Sequence, residues 1–217
     1  MATGENPARQ RILERISSAL KSRAPRHAPE SAGEIFPEIP DPLGRFQLEC
    51  SGNKTELRIV RDESGAAEAL ASLAGEFLPG EIFVEDAPVL RKLISTRITK
   101  NQIRWSSSGG PGEGVRASIT RAEFLVAQTG SVVVSSSCGG RGAFAFAPLH
   151  IVVAGVSELV VDLAAALAQL RTRGIPEQSS SFTLITGPSR TADIEKQLVM
   201  GAHGPIRLVV ILIAEGR

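Results

Sequence analysis

HIVVAGVSELVVDLAAALAQLRTRG, residues 150–174, decides the fold. HIVVAGV (150–156) is an unbroken apolar run of strand length, rich in β-branched residues. Ser157 stands where a helix N-cap belongs; Leu159, Leu163, Leu167 and Leu170 then form one helical stripe, and Gly174 falls at a C-terminal cap position. A strand that is apolar throughout, followed by a helix, is the repeating unit of a parallel sheet covered on both faces.

The same alternation continues downstream. FTLIT (182–186) reads as the next strand, residues 190–200 as the next helix and LVVILIA (208–214) as the last strand. Right-handed crossovers would gather strand ends and helix starts on one edge, where open α/β sheets bind ligands. Upstream, Leu57–Val60 and Ile82–Val84 are short strands, and Gly65–Leu78 is a helix rich in Ala, Leu and Glu. Asp86 is placed to cap a helix carrying Val89, Leu90, Leu93 and Ile94. WSSSGGPGEG (105–114) is a loop, whereas FLVA (124–127) and SVVV (131–134), joined through Thr129 and Gly130, have hairpin spacing. The expected class is α/β: a mainly parallel sheet with helices on both faces and a hairpin added.

The first 44 residues differ in kind. Ile12, Ile16 and Leu20, with Leu13 beside them, predict an amphipathic helix over 7–22; five prolines between 25 and 42 predict an extended linker. Residues 1–28 hold six Lys or Arg against two Glu, and 29–49 hold five acids against one Arg. The expected organisation is an arm, 1–44, docked or swapped so as to join copies in a homo-oligomer, and an α/β domain, 45–217.

Composition limits the function. Apolar residues make up 42% of 217 residues and charged ones 22%, the balance of an ordinary globular protein. A net charge of +1, no Tyr and one Trp give no footprint for nucleic acid. The charged N-terminus and the interrupted apolar runs give no signal peptide or membrane span, so a cytoplasmic protein is expected. Cys50 and Cys138 fall in no metal-spaced cluster, and no metal site is expected in this chain.

GPSRTADIEKQLVMGAHGP (187–205) carries the ligand reading. Between a strand and a helix start, Gly187 permits close approach, Ser189 or Thr191 caps or binds, and Arg190 forks onto a carboxylate or phosphate, with Asp193 beside it. SSSCGGRG (135–142) offers a second anion nest with Arg141, and His203 is a candidate acid or base near neutral pH. The purely structural alternative is a capped turn with a solvated arginine. Neither GxGxxG nor GxxxxGK[ST] occurs, so a nucleotide site has no support. Cys138 is a nucleophile only if its surroundings lower its pKa.

AQTGSVVVSS (127–136), the 141–153 stretch ending in PLHIVV, and TGPSRTADIEKQLVMGAHGP (186–205) closely resemble the lactate utilisation protein C family with its LUD domain. The resemblance implies a Rossmann-like α/β layer with an extra small sheet, similar to the sugar-phosphate isomerase and CoA-transferase group. It also implies a role in oxidising L-lactate to pyruvate with partner proteins that carry the iron–sulfur clusters. The family's residues carried onto this chain as candidates for binding a small anion are Thr129, Gly130, Ser189, Arg190, Thr191, Asp193, His203 and Gly204. Gln128 replaces the usual acidic residue before the TG pair and retains hydrogen-bonding capacity without a nucleophilic carboxylate. The alternatives are a free-standing enzyme acting on a phosphosugar or acyl-CoA, and a non-catalytic scaffold docking through its arm.

Overall fold

The computed structural model describes residues 7–21, 38–99, 103–175, 179–191, 199–200 and 204–215. The chain divides into two compact units, Met1–Glu38 and Ile39–Arg217. The first contains helix α1 (Pro7–Lys21), whose Ile12, Leu13, Ile16 and Leu20 are all exposed.

The second unit starts with helix α2 (Pro42–Asn53), strand β1 (Glu56–Val60), helix α3 (Glu63–Ala74), β2 (Ile82–Val84), α4 (Pro88–Ser95) and β3 (Ile103–Trp105). β4 (Ala117–Arg121), β5 (Phe124–Val126), β6 (Ser131–Ser135), α5 (Arg141–Ala145) and β7 (Leu149–Gly155) follow. The chain ends through β8 (Leu159–Val160), α6 (Leu163–Thr172), β9 (Phe182–Ile185), β10 (Arg190–Thr191), β11 (Val199–Met200) and β12 (Arg207–Ile213). A six-stranded sheet runs β1-β12-β7-β4-β2-β3, with every pairing parallel. A second sheet runs β8-β5-β6-β9, with β6 antiparallel to both neighbours.

Strand composition explains the layering. β7 and β12 are apolar on both sides because both faces of the large sheet are covered. On one face α3 and α4 pack Leu70, Leu73, Leu90 and Leu93 against Ile119, Ile151 and Ile211. On the other, Phe46 of α2, Phe144 of α5 and Leu125, Val132 and Val134 of the small sheet meet Val152, Val210 and Leu212. The small sheet's outer side carries Phe124, Val126 and Val133 against Ala166 and Leu170 of α6. Each such aliphatic side chain contributes on the order of 2 kcal/mol by leaving water.

Four local expectations are corrected. Asp86 does not cap α4: Ala87 holds that position before Pro88, and Asp86 instead receives a two-pronged contact from Arg91, which holds its carboxyl down at about 2. Ser157 lies in a 3-10 turn whose Glu158 Oε2 accepts from Gly155 N at 2.6 Å, and α6 is capped by Asp162, which accepts from Ala165 N at 2.7 Å. The β-branched Val160 and Val161 separate Leu159 from the helical stripe and favour extended backbone. FTLIT joins the small sheet, not the parallel one.

The helix expected over 190–200 is the fourth. Arg190 pairs with Met200 and Thr191 with Val199 in an antiparallel ladder. A helix would separate residues 190 and 200 by about 15 Å, whereas ladder partners lie about 5 Å apart. Ser189 N donates to Pro205 O at 2.8 Å and draws the two ends together.

The carboxyl end of α2 is seated against two glycines. A Cβ on Gly130 (φ +62) would lie 2.8 Å from Cys50 N, and one on Gly187 (φ +86) would lie 2.4 Å from Asn53 O. Asn53 Nδ2 donates to Thr129 O at 2.8 Å, and Arg190 Nη2 donates to Asn53 O, setting a cation on the helix's carbonyl end. Gly130→Ala and Gly187→Ala are each expected to cost at least about 2 kcal/mol, through strained backbone and collision with main chain; urea midpoints measure this.

His150 is fully buried on the α2 side of β7, where its Nε2 lies 2.9 Å from Thr120 Oγ1. Burial pushes its imidazole from 6.5 down to about 3. The unfolded chain therefore binds a proton that the folded chain refuses, so stability is complete above pH 6.5 and falls as the pH drops toward 3. Denaturant midpoints against pH should lose up to about 1.4 kcal/mol per pH unit of slope in that window in His150→Gln relative to the native chain.

Candidate functional site

A cavity of ≈ 450 Å³ opens between α5, the end of β9 and the loop before β12. Arg141, Phe144, Thr186, Gly187, Ser189 and Gly204 contribute to its wall, so four of the residues singled out from sequence meet here: Arg141, Gly187, Ser189 and Gly204. Gly139 and Gly140, at φ +82 and +83, turn the chain into α5 and bring Arg141 to the opening. The Ser189–Pro205 hydrogen bond brings Ser189 beside Gly204, where an added Cβ would stand 3.2 Å from Ser189 Cβ.

Arg141 is exposed and, among the described residues, has no carboxylate partner. Every hydrogen-bonding group of its guanidinium is thus available to an anion. From Thr186 in the cavity wall a hydroxyl chain runs back through Ser131 Oγ to Thr129 Oγ1, each step 2.7 Å. Phe144, Ala145, Leu184 and Ile185 supply the apolar part of the wall. The cavity combines one unpaired cation, the Thr186 and Ser189 hydroxyls and an apolar wall, which suits an anion with a carbon skeleton.

Its place in the fold differs from the expectation. α5 precedes β7 and Gly204–Pro205 precede β12, so the cavity borders the amino ends of these strands, not the carboxyl edge. Residues 190–191 lie in a ladder, and Ser189 N is already donated to Pro205 O. Thr191 opens the ladder, and Arg190 reaches Asn53 O. Gly130 sits beneath α2, and half-buried Gln128 donates its backbone N to Val161 O at 2.9 Å. Asp193 and His203 lie outside the described residues.

Sequence reasoning missed a polar cluster where the chain crosses between sheets. Arg121 donates through N and Nε to the two carboxylate oxygens of buried Glu85, both at 2.7 Å. Buried Glu123 accepts from Ser135 Oγ at 2.6 Å and from Cys138 Sγ at 3.4 Å. Burial and the neighbouring Glu85 and Glu123 push the Cys138 thiol up to about 12, which removes the thiolate a nucleophile requires. The visible signal was Arg121 and Glu123 flanking Ala122 between two apolar runs. Cys50 is likewise buried and pushed up to about 12 by desolvation. Among the described residues no group of three or more His, Cys, Asp or Glu is placed to hold a metal ion, and no helix is long and apolar enough to cross a membrane.

The LUD domain family model matches residues 113–213, a span that includes the whole cavity wall. Lactate utilization protein C of Bacillus licheniformis is 30% identical over 192 residues, covering 80% of this chain and 78% of that one. The Bacillus subtilis protein of the same name is 29% identical over 186 residues, covering 76% and 75%. The crystal structure of a DUF162 family protein from Deinococcus radiodurans superposes with a TM-score of 0.59 at 16% identity, over 79% of this chain and 96% of that one, and shows the same fold. The α/β chain with its Arg141 cavity thus belongs to the lactate utilization protein C family, and residues 113–213 are its LUD domain.

Proposed function

We propose that the chain is a cytoplasmic subunit of a system that oxidises L-lactate to pyruvate with iron–sulfur partner proteins, and that its cavity holds a small carboxylate or phosphate. The observation carrying this reading is the unpaired Arg141 at a cavity that also collects Gly187, Ser189 and Gly204. A carboxylate held there gains charge-assisted hydrogen bonds of about 1.5–3 kcal/mol. The Thr129–Ser131–Thr186 hydroxyls line up behind the anion, while Gln128, Gly130 and Arg190 serve the site through the segments that shape it. Oxidation of lactate releases two electrons and two protons; in this reading the partners' clusters take the electrons, and this chain binds and orients the anion. The lactate utilization protein C relatives support the pathway.

Lactate-dependent dye reduction in extracts of a strain deleted for this gene tests it. The native chain should restore activity; Arg141→Ala, shown folded by circular dichroism, should lower it at least about tenfold at subsaturating lactate. Equal restoration by both would remove the anion site.

The exposed stripe of α1 supports a further role for the arm, residues 1–44, in docking on a partner. Deleting residues 1–28 should then abolish co-purification of the partner proteins while L-lactate binding to the isolated chain stays unchanged.

A further inference from the structure

Ser118 of β4 and His150 of β7 are register partners on neighbouring strands, and Thr120 lies two residues along from Ser118, on the same face. All three are 0% exposed on a face that is otherwise Phe, Leu, Val and Ala. Thr120 satisfies His150 Nε2, but His150 Nδ1 and Ser118 Oγ have no hydrogen-bond partner among the described residues. Two unpartnered polar atoms side by side in a core mark a place prepared for a polar guest. Phe144 connects that place to the cavity. Its ring forms part of the cavity wall and also tilts against His150 with centroids 6.4 Å apart. The ring is carried by a helix of only five residues that two positive-φ glycines introduce.

We propose that Ser118, Thr120 and His150 form the inner end of the ligand site, reached past Phe144, and that they take an uncharged hydroxyl or carbonyl borne next to the ligand's anionic group. The proposal rests on the cavity being the anion site. The imidazole is neutral at physiological pH, since burial holds it at about 3, and it therefore matches a neutral group better than a carboxylate. The Thr120–His150 pair is also reversible. Against a hydroxyl, Nδ1 accepts a hydrogen bond from the ligand's O–H while Nε2–H donates to Thr120 Oγ1. Against a carbonyl, Nδ1–H donates to the ligand while the Thr120 hydroxyl donates to Nε2. One site thus accommodates both a 2-hydroxy and a 2-oxo carboxylate by exchanging imidazole tautomers, with no change of charge. Ser118, which can donate or accept, accompanies either form.

The test uses the full chain labelled with 15N-histidine, with His150→Gln to assign the signal, titrated separately with L-lactate, pyruvate and acetate. Lactate and pyruvate should drive the Nδ1 and Nε2 resonances toward opposite tautomers, whereas acetate, which lacks the second group, should leave them in place. Ser118→Ala should weaken lactate and pyruvate about fivefold and acetate not at all. If all three anions bind in an Arg141-dependent way with no response at His150, or if Ser118→Ala weakens none of them, the inner end holds no part of the ligand and only the outer anion site stands. If none of the three binds, the anion reading of the cavity fails and this proposal falls with it.

Discussion

The closeness of α2 to the QTG and TGPSR turns is the constraint on which the rest of the second unit depends. Cys50 and Asn53 approach Gly130 and Gly187 so nearly that neither position has room for a methyl group. That approach fixes the end of β6 through Gly130 and the end of β9 through Gly187, and with them the spacing of the small sheet on the large one. Arg190 and Asn53 then join the helix end to both turns. The cavity lies immediately beyond, because the chain leaving Gly187 is drawn back to Pro205 by a single main-chain hydrogen bond. Cavity wall and structural clasp are made from the same short segments.

A second constraint is the crossing from the parallel to the antiparallel sheet at Ala122–Glu123. Ala122 N still donates to Val153 O of the large sheet, whereas Glu123 N donates to Val133 O of the small one. A chain that changes sheets exposes polar atoms where two cores meet. The Arg121–Glu85 pair and the Glu123–Ser135–Cys138 contacts satisfy them locally. This accounts for buried charge where the two sheets meet, and Glu85 beside Arg121 pushes its guanidinium above the usual value.

Much of the frame was legible in the sequence because period and composition carry it. The runs at 57–60, 82–84, 150–156 and 208–214 are strands in the structure, and the 124–134 hairpin forms as expected. What failed shares a cause: local pattern does not report what a segment meets. FTLIT has the same apolar continuity as a parallel strand but pairs with β6, and Arg190–Thr191 pair with Val199–Met200 in a ladder, with Ser189 held to Pro205, where the residue types read as helical. Helix α2 went unread because PLGRFQLECSGN begins with Pro and Gly and has only Phe46 and Cys50 to bury. Of the loop positions picked out from sequence, Arg141, Gly187, Ser189 and Gly204 meet at one cavity, since Gly and Ser are needed wherever backbone must come close. The buried polar group of Ser118, Thr120 and His150 was not legible, because inside strands a polar residue signals nothing until its neighbour on the next strand is known.

The two cysteines make the protein its own gauge of opening. Each thiol is buried and held protonated far above neutrality, one against the α2–Gly130 contact and the other beside the sheet crossing. Oxidants and alkylating reagents meet no thiolate in the closed molecule, so both residues gain reactivity only when their surroundings separate. Cys50 reports on the detachment of α2, and Cys138 on the parting of the sheets. Two sulfur atoms placed for packing thereby distinguish a local loosening from global unfolding.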